Sequence, residues 1–220
     1  MRKFNFFCSW LLVITIAIGI ITLGLNLTLR ISAPYTFYFN DTHVVSFVSG
    51  EYVNSEMSDM IAGFMNSWNP DEFQIYEDTG YAIEGIFDKI DSHNMLIVKH
   101  LLDISFIFCI ISIIISVAIY RYFLKNNYKE VLRDRFKVAS VLTILLVIFE
   151  GILLNTKWGL KLLYNIADFL PFSDKSALVT LLGDGFISII DNFIIGLTVI
   201  IFLVTLYATH ILTKQPRIFY

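Results

Sequence analysis

Four long apolar runs, at residues 6–27, 101–122, 138–154 and 186–212, constrain this chain more than any other feature. A hydrocarbon core about 30 Å thick takes about twenty apolar residues per crossing helix. Each run therefore reads as a membrane span, the third the shortest and the fourth with length to spare for tilt. Composition agrees: 56% of the 220 residues are hydrophobic and 16% charged, against about half and about a quarter in soluble domains. The first run follows Arg2 and Lys3, as a secretory signal would. Its apolar core is longer than a signal's and no small-x-small cleavage site follows it cleanly, so it is read as a retained helix.

Charge divides the segments between the runs. Residues 31–97 hold eleven of the nineteen Asp and Glu and a single basic residue, Lys89, whereas residues 121–137 hold six Lys and Arg against two acids. Positive charge flanking spans marks the cytoplasmic side, which places Arg2, Lys3, the 121–137 segment, Lys214 and Arg217 there. The expected organisation is a first transmembrane helix (1–30), an acidic extracytoplasmic cap (31–97), a second helix (98–122) and a basic cytoplasmic loop (123–137). A third helix (138–154), an extracytoplasmic aromatic segment (155–185) and a fourth helix with a cytoplasmic tail (186–220) complete it. Both termini are cytoplasmic in this reading, and no basic stripe is available to track a nucleic acid. Cys8 and Cys109 both lie inside spans, so no disulfide framework is expected in the cap.

The cap is too aromatic to be disordered. Met57, Met60, Ile61, Phe64, Met65 and Trp68 recur at three-and-four spacing, which predicts an amphipathic helix over 55–68, capped by Asn54 or Ser55 and stopped by Asn69-Pro70. Such a face is ordinarily a packing surface. Aromatic and β-branched runs at 35–39, 43–48 and 73–76 predict short strands, with a turn at 77–80. Residues 160–170 predict a helix lying along the membrane surface within a belt of aromatic rings. The fold class is thus an all-α integral membrane protein of four spans with a small α+β cap.

Ionisable groups inside spans cost about 2.5–3.5 kcal/mol each at a helix centre, so their positions point to function. They gather at one depth: Asp103 with Lys99 and His100 at i+4 and i+3 spacing, Glu150 near the outer end of the third span, and Asp184, Asp191 and Asn192 at that of the fourth. Convergence there would set them where a lipid ester lies, with His and a desolvated Glu as bases near neutral pH. The competing physical reading is that Lys99, His100 and Asp103 snorkel or pair at the interface and that Glu150 pairs with a neighbouring helix. No G-x-S-x-G elbow, H-E-x-x-H, P-loop or C-x-x-C is present, and no metal set is indicated.

Two stretches resemble a known bacterial family. Phe87-Asp88-Lys89-Ile90-Asp91-Ser92-His93-Asn94-Met95-Leu96-Ile97-Val98-Lys99-His100-Leu101 and Phe149-Glu150-Gly151-Ile152-Leu153-Leu154-Asn155-Thr156-Lys157-Trp158, followed by Leu170-Pro171, resemble segments of the lipoprotein intramolecular transacylases (Lit). The order of spans, cap and loops is similar over most of the chain. The resemblance implies acyl transfer within diacylglyceryl lipoproteins, from the sn-2 oxygen to the amine of the N-terminal Cys, in the bacterial cell membrane. It implies no metal or soluble cofactor, and membrane lipid and lipidated protein N-termini as partners. The family's first histidine matches His93 with a one-residue shift, Asn94 standing at the unshifted position, and its second matches Glu150. The roles this suggests are His93 or His100 as proton shuttle, Glu150 as base or orienter, and Asp103 fixing a nearby imidazole. Asn94, Asn155, Trp158 and Asp191 would form the seat of the substrate. The rival expectation is a non-catalytic accessory protein whose acidic cap binds another membrane or surface protein.

Overall fold

The computed structural model describes residues 2–68, 70–78, 80, 82–173, 176–183 and 185–214. Among the described residues, four helices are long and apolar enough to cross a membrane: α1 (Arg2–Arg30), α5 (Lys89–Lys125), α6 (Lys129–Asn155) and α9 (Phe186–Thr213). Between α1 and α5 lie α2 (Ala33–Thr42), α3 (Val45–Val48), α4 (Asn54–Asn66) and a hairpin of β1 (Tyr76–Asp78) and β2 (Ile83–Gly85); α7 (Lys157–Ala167) and α8 (Ala177–Leu181) precede α9. The expected fold class holds: an all-α membrane protein with a small α+β portion, its two strands pairing antiparallel with Glu77 opposite Glu84. The chain forms two compact units. One comprises Met1–Leu25, Ser105–Glu150 and Ile195–Tyr220, the other Asn26–Ile104 and Gly151–Ile194.

The first unit is an apolar bundle. Cys8, Leu12, Val13, Ile16 and Ile20 of α1 pack with Ile119 and Phe123 of α5 and Leu132, Phe136 and Ala139 of α6. The first span is 50% buried, against 22%, 11% and 22% for the others, so α1 is an integral member of the packing. The other helices expose Ile107, Phe108, Ile114, Leu145, Leu203 and Val204, the surface a bilayer would cover. Gly24 permits a close approach of α1 to α9, since a Cβ there would lie 2.2 Å from Thr198 Oγ1. The 123–137 segment is not a loop. α5 runs to Lys125 and α6 starts at Lys129, leaving a three-residue turn in which Asn127 takes the left-handed conformation (φ 59°).

The second unit is polar and denser in hydrogen bonds. Of the runs 35–39 and 43–48, expected as strands, residues 35–39 lie in α2 and 45–48 form α3, with His43 left-handed (φ 54°) between them. Pro34 sits in the first turn of α2, where its fixed φ suits a helix, and Tyr35, Tyr38 and Phe39 bury at the i, i+3, i+4 spacing of one helical face. Burial pushes the Tyr35 phenol well above its ordinary pKa, keeping it a donor, and it donates to Leu29 O at 2.9 Å. The helix expected at 55–68 is α4. It starts after Val53, whose N–H donates to Glu56 Oε2 at 3.2 Å, and it leaves Trp68 exposed. Of 73–76, Tyr76 alone joins the hairpin; Phe73 N donates to Ser92 Oγ and Gln74 bridges to Phe87. Asn69 and Thr79, on which the expected stop and turn partly rest, lie outside the described residues. The surface helix expected at 160–170 is α7, ending at Ala167 with Asp168 left-handed (φ 60°).

Candidate functional site

A carboxylate decides how the site is assembled. Asp88 Oδ1 accepts the Asp91 N–H at 2.7 Å, capping α5 at Lys89, well before the expected start of the second span. At 1.5 Å per residue the 37-residue helix is about 55 Å long, far more than a bilayer core requires. Its first sixteen residues, 89–104, therefore belong to the polar unit, and His93, Asn94, Lys99, His100 and Asp103 share one rigid element.

Three of the charged groups of this unit form one cluster. Arg30, at the end of α1, reaches Asp103 Oδ1 with Nη2 at 2.6 Å, while Lys99 Nζ donates to Asp103 Oδ2 at 2.5 Å. Arg30 also donates to Asn26 Oδ1 at 3.1 Å and to Met65 O, and its own carbonyl accepts from Asn66 Nδ2 at 2.6 Å. Two cations on one carboxylate leave a net positive charge. The Lys99 side chain is 2% exposed against 39% for Asp103, so the desolvated charge is the lysine's. Asp103 is Lys99's one hydrogen-bonding partner among the described residues, which leaves two ammonium N–H directions for an oxygen carrying negative charge.

This corrects the role expected of Asp103: both of its oxygens are held by cations, so it does not orient an imidazole. His93 and His100 are exposed and make no hydrogen bond or ion pair among the described residues. Asn94 is corrected too. Its Oδ1 accepts the Leu170 N–H and its Nδ2 donates to Leu170 O, both at 2.9 Å, so the buried amide clamps backbone and has little left for a substrate. Asp91, fully buried, accepts from Ser176 Oγ at 2.5 Å and Leu178 N at 3.2 Å, fixing the start of α8 in the same way.

The structure brings Asn155 and Asp191 together. Asn155 Nδ2 donates to Asp191 Oδ2 at 2.6 Å and to Gly151 O at 3.0 Å. Asp191 is buried, and its Oδ1 has no hydrogen-bond partner among the described residues, a costly arrangement that a polar ligand would relieve. Asp184 lies outside the described residues. Trp158 is 64% exposed on α7, an exposure that suits a ring in an interfacial belt. Glu150, half-buried on α6, immediately precedes Gly151. No group of three or more His, Cys, Asp or Glu suited to a metal ion occurs among the described residues. Arg30 was missed in the sequence because its partner lies 73 residues away; the signal was an arginine ending an apolar run.

These features define a multi-pass helical membrane protein whose polar unit carries a desolvated cationic cluster. Among solved structures, the chain is similar to the membrane integral lipoprotein intramolecular transacylase Lit from Bacillus cereus, with a TM-score of 0.72 at 16% identity, covering 94% of this chain and 96% of that one. Structures of that protein with one histidine replaced by arginine or by alanine match with TM-scores of 0.69 and 0.68, again at 16% identity and 94% of this chain, covering 92% and 94% of theirs. No family model and no curated protein matches the sequence. The resemblance read from the two local stretches is thus borne out as a shared fold across nearly the whole chain.

Proposed function

We propose that this protein transfers an acyl chain within the membrane, from the sn-2 oxygen of a diacylglyceryl lipoprotein to the amine of its lipidated N-terminal Cys. The observation that carries the reading is the likeness to a lipoprotein intramolecular transacylase over 94% of the chain. In this reaction the neutral amine attacks the sn-2 ester carbonyl, a C–N bond forms and the carbonyl oxygen becomes an oxyanion. Collapse breaks the C–O bond, and the glyceryl oxygen takes up the proton that the nitrogen gives up. The product is an isomer of the substrate, so no water, metal or redox partner enters the balance.

Lys99, held by Asp103, is the donor proposed for the oxyanion, with Arg30 keeping the cluster cationic. Such preorganised donors contribute about 10²–10³ in rate. His93 or His100 moves the proton, their exposure leaving both ring nitrogens open to substrate. Glu150 is proposed as base by its chemistry and its match to the family's second histidine. Asp191, with one oxygen tied to Asn155 and the other buried without a hydrogen-bond partner among the described residues, is proposed to seat the amine. The charge rule supports cytoplasmic termini and an extracytoplasmic polar unit, the side on which lipoprotein N-termini lie.

The test is mass spectrometry of the N-terminal peptide of a lipoprotein from a host making only the diacylglyceryl form, with and without this chain. An N-acyl, mono-O-acyl peptide at unchanged total mass is expected. An unchanged diacylglyceryl peptide, with the protein folded in the membrane, overturns the proposal.

A further inference from the structure

The first unit contains a cavity of about 490 Å³ between α1, α5 and α9, a size that accommodates a small ligand. Its chemistry is graded along α5. At one end stands Arg121, whose guanidinium is exposed and makes no hydrogen bond or ion pair among the described residues, with Lys125 one turn further on. Next come two hydroxyl pairs a turn apart: Tyr120 with Thr209 of α9 at 2.6 Å, and Ser116 donating to Thr15 of α1 at 2.9 Å. Beyond them the wall is hydrocarbon, from Ile20 and Leu23 of α1, Ile113 of α5 and Ile201 of α9, with Gly19 leaving room.

A cation, then hydroxyls of which the Tyr120–Thr209 pair keeps one proton to donate, then an apolar slot matches in order the phosphate, an ester carbonyl and an acyl chain of a glycerophospholipid. We infer that this cavity is a binding site for an anionic membrane phospholipid, its headgroup on Arg121 and one acyl chain between α1, α5 and α9. None of the residues proposed for acyl transfer lines it, so the lipid held here is a structural or regulatory ligand independent of that reading. An anionic headgroup is favoured because its net negative charge faces Arg121 and Lys125 with no cationic tail for them to repel, and one basic side chain near an anionic surface contributes about fivefold in binding. Ala208 lines the slot and makes no side-chain hydrogen bond, so it can be enlarged without breaking a polar contact.

The full chain, purified in detergent, is titrated with dioleoylphosphatidylglycerol or dioleoylphosphatidylcholine and bound lipid is counted by native mass spectrometry. Wild type is expected to hold one phosphatidylglycerol at least fivefold more tightly than phosphatidylcholine. Arg121→Gln removes that preference while retaining a lipid, and Ala208→Phe loses the tight lipid of either kind; a circular dichroism melt verifies that both variants are folded. Equal affinity for the two lipids in wild type, or a preference that survives both substitutions, overturns the inference. So does a dimer in phosphatidylcholine that Ala208→Phe dissociates, which would put a second copy of the chain in the slot.

Discussion

Polar contacts between helices differ in kind between the two units. In the bundle of the long apolar helices most join neutral side chains, Ser116 to Thr15, Tyr120 to Thr209, and Tyr122 to Asn5 at 2.9 Å, and the charged one, Arg133 to Thr213 O at 3.1 Å, meets a backbone carbonyl and no ion. In the polar unit they join ions and amides far apart in sequence, Arg30 to Asp103, Asn94 to Leu170 and Asp91 to Ser176, over 73, 76 and 85 residues. The difference follows from the solvent each segment is built for. In lipid a hydroxyl pair contributes about 0.6 kcal/mol, because the unfolded helices also find partners. In the polar unit a buried ion whose partner is removed costs several kcal/mol, so its shape depends on a few side chains.

Substitutions that sharpen this contrast can be ranked. The largest effect is expected for Gly159→Ala in the polar unit, where the new Cβ would lie 2.3 Å from Leu153 O and 2.5 Å from its Cα. Backbone cannot swing aside, so a stability loss of about 3 kcal/mol is expected, seen as a lowered midpoint of thermal unfolding in detergent. Asp103→Ala follows, at about 2–3 kcal/mol. Lys99 and Arg30 then repel without a counter-ion, discounted for the carboxylate's own partial exposure. Lys99→Met should cost clearly less than Asp103→Ala in the same melt, because Arg30 still satisfies Asp103; equal losses would show that the cluster is not charge-organised.

Asn94→Ala removes both hydrogen bonds to Leu170 and is expected to cost about 2 kcal/mol. Amide exchange of the Leu170 N–H should quicken before the helices of the bundle open. Ser116→Ala should be the mildest, about 0.6 kcal/mol. A loss above about 2 kcal/mol there would erase the distinction between the units.

The same contrast explains what could be read from the sequence. The four spans were legible because hydrophobic length is a local property, and so was α4, whose apolar face repeats every three to four residues. The segment 35–48 was misread because its aromatic and β-branched residues favour strands, whereas burial of Tyr35, Tyr38 and Phe39 on one face selects a helix. The start of α5 was misplaced because Asp88, its cap, lies in a polar stretch that carries no apolar periodicity. Within the candidate site, the Lys99–Asp103 pair follows from i,i+4 spacing. Arg30 joins it through the fold alone, as Asn94 joins Leu170, and no local pattern announces either.

The most direct test is the rate of N-acyl lipopeptide formation in proteoliposomes holding a diacylglyceryl lipoprotein, measured by mass spectrometry for wild type, Lys99→Met and Tyr122→Phe, which removes the bundle contact to Asn5. The account predicts a mass-neutral N-acyl product from wild type, about 10²-fold slower formation with Lys99→Met although it stays folded, and a rate within twofold of wild type for Tyr122→Phe. Absence of that product from folded wild-type protein, or an undiminished rate with Lys99→Met, would contradict it.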